Sequence, residues 1–157
     1  MSEISVKTPT RNYSLLQQEI NALIEGESNV FANIGNILAA IKFRMNWFWV
    51  GLYKVENDEL VLFMFQGPHA CTRIKKGSGV CGTAWLENRT LIVDDVNLFD
   101  GHIACNSASK SEIVLPIKDK NGAVVYILDI DSEHLNAFND NDENELKKVV
   151  TILENLI

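Results

Sequence analysis

Residues 99–116, FDGHIACNSASKSEIVLP, set Cys105 among small and polar residues, with His102 three positions before it and Glu112 seven after. A thiol kept for packing has large apolar neighbours, whereas Cys105 lies between Ala104 and Asn106. Such a thiol can be inert, bind metal or act as a nucleophile. Two more thiols fall in residues 65–90, FQGPHACTRIKKGSGVCGTAWLENRT. Cys81 follows Gly77-Ser-Gly79 at the expected start of a short helix over 80–88, while Cys71 lies in the stretch before it. A helix start offers free N–H groups and a partial positive charge, which favour a thiolate or hold a carboxylate.

Acids supply the second chemical theme. Residues 123–131, AVVYILDID, alternate Val125, Ile127, Asp129 and Asp131 on one face with Val124, Tyr126, Leu128 and Ile130 on the other. Both faces begin apolar, so the run reads as a central strand covered on both sides. Asp129 and Asp131 then point the same way, roughly 7 Å apart. A carboxylate on a covered strand is costly unless it is paired, hydrogen-bonded or protonated. If the strand stopped at Leu128, both acids would simply be solvated. Counting outward from the Asn-Gly turn at 121–122 brings Glu112 beside Asp129 or Asp131, gathering three carboxylates with Cys105 within loop reach. Trp49 and Tyr53 share one face of another expected strand, where they pack or form an aromatic wall for a methyl, a sulfur or a cation.

Other readings of the same residues are weaker. His69, Cys71, Cys81, His102 and Cys105 are zinc-type ligands, but no Cys-x2-Cys or His-x3-His pair is present. A Cys105–His102 nucleophile and base pair lacks an identifiable oxyanion hole.

The chain as a whole bounds these options. At 157 residues it reads as one domain able to bury a core, and 46% hydrophobic with 22% charged residues excludes disorder. A net charge of −7, with no basic run longer than Lys75–Lys76 or Lys147–Lys148, argues against nucleic acid. No apolar run is long enough for a membrane span, and MSEISVKTPTRNYS lacks the form of a signal peptide. A cytoplasmic protein is expected. There, three cysteines, an odd number, argue against a structural disulfide framework, and any pairing would be transient and catalytic.

The elements that must position these groups follow from periodicity. Residues 14–25 read as a helix behind a Ser14 cap, with Leu16, Ile20, Leu23 and Ile24 on one face and Gly26 as its stop. A second helix fits 29–44, with Phe31, Ile34, Leu38 and Ile41 as its stripe. A third fits 142–157, burying Leu146, Val149, Val150, Leu153 and Leu156, with Asp140 and Glu143 at capping-box spacing. Strands are expected at 47–53, 59–65, 90–95, 111–119 and 123–131, with KVENDE as a hairpin connection. Pro116 requires its strand to be at an edge or bulged there. The order predicts an α+β fold, a mostly antiparallel sheet with N-terminal helices and a C-terminal helix packed on it.

Taken together, WVGLY, ELVLFMFQGPHACTRI, GSGVCGTAW, FDGHIACNSASKSEIVLP and VYILDIDS resemble one family, the free methionine-R-sulfoxide reductases, single GAF domains of this length. The likeness runs from about Ser14 to the C-terminus, so residues 1–13 read as a tail and 14–157 as the GAF domain. The resemblance implies reduction of free methionine R-sulfoxide, with no metal or organic cofactor and with thioredoxin as reductant. It implies Cys105 as attacking thiol, Cys71 as principal resolving thiol and Cys81 as an auxiliary one. Glu112, Asp129 and Asp131 match the family's substrate-binding acids, and Trp49 and Tyr53 its aromatic wall. A homodimer is compatible with it. Tyr126, in place of a small residue, and the aromatic-rich NWFWVGLY depart from the family pattern and could alter the pocket. The competing reading is a non-catalytic GAF module that binds or senses an amino acid.

Overall fold

A computed structural model describes residues 11–157, so most of the 1–13 tail expected from the sequence lies outside the described residues. Two helices open the fold, α1 (Tyr13–Ile24) and α2 (Val30–Met45). α1 begins one residue earlier than the periodicity predicts. Its cap is Asn12, whose side chain accepts from the Leu15 N–H at 3.0 Å, rather than Ser14. Asn29 caps α2 in the same way through Ala32, at 3.0 Å. The buried stripe of α2 is Ile34, Ile37, Leu38 and Ile41; Phe31 is 58% exposed and meets the half-buried Phe63 edge-on. Leu23 of α1 is likewise exposed, leaving Leu16 and Ile20 as that helix's buried anchors.

The strands are β1 (Trp49–Glu56), β2 (Glu59–Gln66), β3 (Arg73–Lys75), β4 (Leu91–Val93), β5 (Ser111–Lys118) and β6 (Val124–Ser132). They form one antiparallel sheet in the order β3-β2-β1-β6-β5-β4. β1 and β2 join through a tight turn at 57–58, much shorter than KVENDE suggests, with Asn57 in the left-handed region at φ 56°. The short β3 has no periodicity to announce it. Pro116 sits beyond Val114, where pairing with β4 ends, and one residue before a register shift at Ile117/Lys118. Its missing N–H is therefore accommodated as the sequence requires.

One face of the sheet is covered by α1, α2 and α4 (Asp140–Leu156), which bury Leu16, Ile20, Ile34, Ile41, Leu128, Ile130, Leu146 and Leu153. The capping box of α4 uses Asn139 and Asp142, one residue earlier than the Asp140/Glu143 pair expected from sequence. Asp142 is buried, accepts from Tyr13 Oη at 2.6 Å and pairs with Arg11 at 2.5 Å. The other face is covered by α3 (Gly79–Glu87) and the segments carrying the thiols, around Trp49, Tyr53, Ile74, Val80, Val114 and Ile127. β6 thus lies in the middle of the sheet with cores on both sides, as its alternation predicts.

Candidate active site

The strand pairing brings the three carboxylates together. β6 runs on to Ser132, so Asp129 and Asp131 are part of the ladder rather than solvated beyond it. Glu112 on β5 pairs directly with Asp131, while Asp129 faces Val114 on one side and Gly51 of β1 on the other. Glu112 and Asp129 are each only 6% exposed. Asp131 is partly buried and accepts a short hydrogen bond from the Ser109 hydroxyl.

Trp49, Gly51 and Tyr53 share the face of β1 that looks into the same pocket. The indole and phenol rings stack at 6.1 Å across Gly51, and Phe65 stacks on the outer face of Trp49 at 5.4 Å. A Cβ at Gly51 would collide with the Trp49 ring and with Phe65, so glycine is what lets the indole lie flat there.

Cys71 and Cys105 form a disulfide, with Cα atoms 5.2 Å apart. Cys105 lines the pocket with His102, Ile103 and Asn106 of its own loop. Cys81, the free thiol, is buried in the first turn of α3, its Sγ 3.8 Å from Glu112 Oε1. Ser78, the residue before α3, makes no side-chain cap, which leaves the N–H groups of the first turn open to a ligand.

A GAF domain family profile matches residues 27–157. The chain is 52% identical to GAF domain-containing protein A of Dictyostelium discoideum, over 98% of this chain and 97% of that protein. It is 45% identical to the free methionine-R-sulfoxide reductase of Escherichia coli K12, over 94% and 90% of the two chains. The crystal structure of the Neisseria meningitidis free methionine-R-sulfoxide reductase with its substrate superposes with a TM-score of 0.88 at 44% identity, covering 92% of this chain and 87% of that one. The chain belongs to the free methionine-R-sulfoxide reductase family of GAF domains.

For a member of this family the electrostatics of the pocket are informative. Burial pushes the Glu112 carboxyl well above the ordinary carboxylate range, and the charges of Asp129 and Asp131 push it further. Burial also raises Asp129, to about 6, although its hydrogen bonds with Glu112 and Cys81 pull the other way. Asp131 is raised by burial and by the Asp129 charge, against the Ser109 hydrogen bond. Three carboxylates so close cannot all ionise, and Glu112 is the natural holder of a proton. Burial, then Asp129 and Glu112, drive the Cys81 thiol upward as well, so it stays protonated. Among the described residues no Lys or Arg lines the pocket, and burial lowers the pKa of His102. One oxygen of Asp129, Oδ1, is buried with no protein partner among the described residues.

Of the zinc-type residues, Cys71 and Cys105 are committed to each other, so the five do not form one ligand set. The thiol of Cys81 with Glu112 and Asp129 has ligand atoms within 4.8 Å of one another, close enough to share a divalent ion. Tyr126, expected to affect the pocket, lies on the opposite face, where its ring meets Phe63 at 5.6 Å. Of the aromatic-rich NWFWVGLY stretch, Phe48 does line the pocket. Sequence reasoning missed Gly51 and Ser109. Gly51 sits between the two wall aromatics, a spacing that could have flagged it; Ser109 carries no signal beyond the strand register.

Proposed function

We propose that this protein reduces free methionine R-sulfoxide to methionine, using Cys105 as attacking thiol and Cys71 as resolving thiol. The observation that carries this reading is the Cys71–Cys105 disulfide beside a pocket lined by the buried Glu112 and Asp129, the partly buried Asp131, and the Trp49 and Tyr53 rings. The Cys105 thiolate attacks the sulfoxide sulfur while a protonated carboxyl, Glu112, hydrogen-bonds the sulfoxide oxygen and delivers a proton to it. Asp129, ionised above pH 6, supplies its unpartnered oxygen to the ammonium of a free amino acid. A methionine within a peptide has no ammonium to offer, which accounts for selection of the free substrate. The uncapped first turn of α3 suits the substrate carboxylate, and the Trp49 and Tyr53 rings suit the methyl-sulfur end.

Methionine leaves and Cys105 becomes a sulfenic acid. The Cys71 sulfur attacks it, the S–O bond breaks, water departs and the disulfide remains. A thioredoxin-type dithiol then restores both thiols by exchange, in a cytoplasmic setting. Residues 14–157 constitute the working domain, and a homodimer is compatible with it; sedimentation would read the oligomeric state.

Counting thiols tests the reading against a sensor module. Reduced protein given one equivalent of methionine R-sulfoxide should lose two thiols per chain and release methionine. Retention of all three thiols with tight binding of an amino acid would instead identify a non-catalytic binding domain.

A further inference from the structure

The segment between β2 and β3, residues 67–72, carries Cys71 but has no helix or strand of its own. Two of its carbonyls are held from the pocket wall. The Trp49 Nε1–H donates to Pro68 O at 2.9 Å, and the Tyr53 hydroxyl donates to Cys71 O at 2.9 Å. An indole N–H can only donate. The phenol is kept protonated by burial and by the neighbouring acids, so it too is a fixed donor. Gly67, with φ 139°, lies so close to the Trp49 ring that a Cβ there would collide with it. The two rings that face the pocket therefore aim their polar ends at the backbone of the thiol-bearing segment.

We propose that the Tyr53 hydroxyl and the Trp49 indole N–H are positioning groups for the resolving step. They hold the Cys71 segment within reach of Cys105 whenever the disulfide is open. This rests on the assignment of Cys105 and Cys71 made above. Once the disulfide is reduced, no covalent link holds residues 67–72 to the Cys105 loop. Closure requires Cα atoms within about 7 Å, and a short irregular segment has many conformations that fail this. Each hydrogen bond favours the competent arrangement by roughly fivefold to tenfold. The chemistry is unchanged: Cys71 sulfur displaces hydroxide from the Cys105 sulfenic acid, the S–S bond forms and water leaves. What the two donors set is how often the attacking sulfur is in position.

The test separates two rates in the full-length, reduced protein after addition of one equivalent of methionine R-sulfoxide: methionine release, and loss of the second thiol. Tyr53→Phe keeps the ring and removes the donor. Because the ring also walls the pocket, the ratio of the two rates is the readout. The ratio of disulfide formation to methionine release should fall about tenfold, and dimedone should trap a sulfenic acid on Cys105. Turnover driven by a thioredoxin-type dithiol should fall, while excess dithiothreitol, which reduces the sulfenic acid directly, should rescue it. Trp49→Phe, read by the same ratio, gives an independent measurement should Tyr53→Phe fold poorly. A wild-type ratio in both variants overturns the inference. A wild-type protein that releases no methionine overturns the functional assignment itself.

Discussion

At the scale of single residues, the pocket holds a tension between acid and thiol. Burial and anionic neighbours disfavour a thiolate, and both push the Cys81 thiol up. A protonated Glu112 removes one negative charge, and the ammonium of a bound amino acid offsets another. The consequence is a nucleophile that sharpens on substrate binding. We expect Cys105 of the reduced protein to react faster with iodoacetamide when a non-reducible methionine analogue is present than when it is absent. Equal or slower labelling would count against this charge balance. Cys81 illustrates how geometry separates thiols of identical type: both it and Cys105 line the pocket, but Cys81 is buried beside Glu112 at the start of α3, whereas Cys105 stands on a loop and pairs with Cys71.

At the scale of elements, strand register does most of the assembling. The pairing of Glu112 with Asp131 follows from a single turn at 119–122 and a period of two, which is why Glu112 could be gathered with Asp129 and Asp131 by counting. Helix ends were less legible. Among the described residues, three of the four α-helices begin behind an asparagine, and the choice among adjacent polar residues depends on which side chain reaches the backbone. Phe31 was legible as apolar but not as surface, because helical spacing fixes a face only to within a residue or so. β3 and the irregular 67–72 segment had no period to read. The capping box of α4 gives a direct check. Asn139→Ala removes an acceptor that serves both Asn141 and Asp142 N–H groups, at a cost of about 1 kcal/mol. The melting temperature should drop by a few degrees, with methionine release preserved; an unchanged melting temperature would contradict the role of the cap.

At the scale of the whole molecule, the site is built against stability. A carboxyl whose pKa is raised on folding binds its proton more tightly in the native state than in the unfolded chain. Its contribution to stability is then complete below the unfolded pKa and lost as pH rises through the folded one. For Asp129 that window runs from the ordinary value of 3.8 to about 6, and Glu112 and Asp131 shift in the same direction. The reduced, ligand-free protein should therefore melt at a higher temperature at pH 5 than at pH 7, and Asp129→Asn should flatten that dependence. A wild-type melting temperature that falls steadily from pH 7 to pH 5 would contradict it. The two cores, one beneath the three long helices and one around α3, supply the packing against which this cost is set. The most direct test of the whole account is a single-turnover assay of methionine release in two variants. Cys71→Ser should release one methionine per chain and then stall, and Cys105→Ser should release none; a full burst from Cys105→Ser would show that another thiol, Cys71 or Cys81, makes the attack.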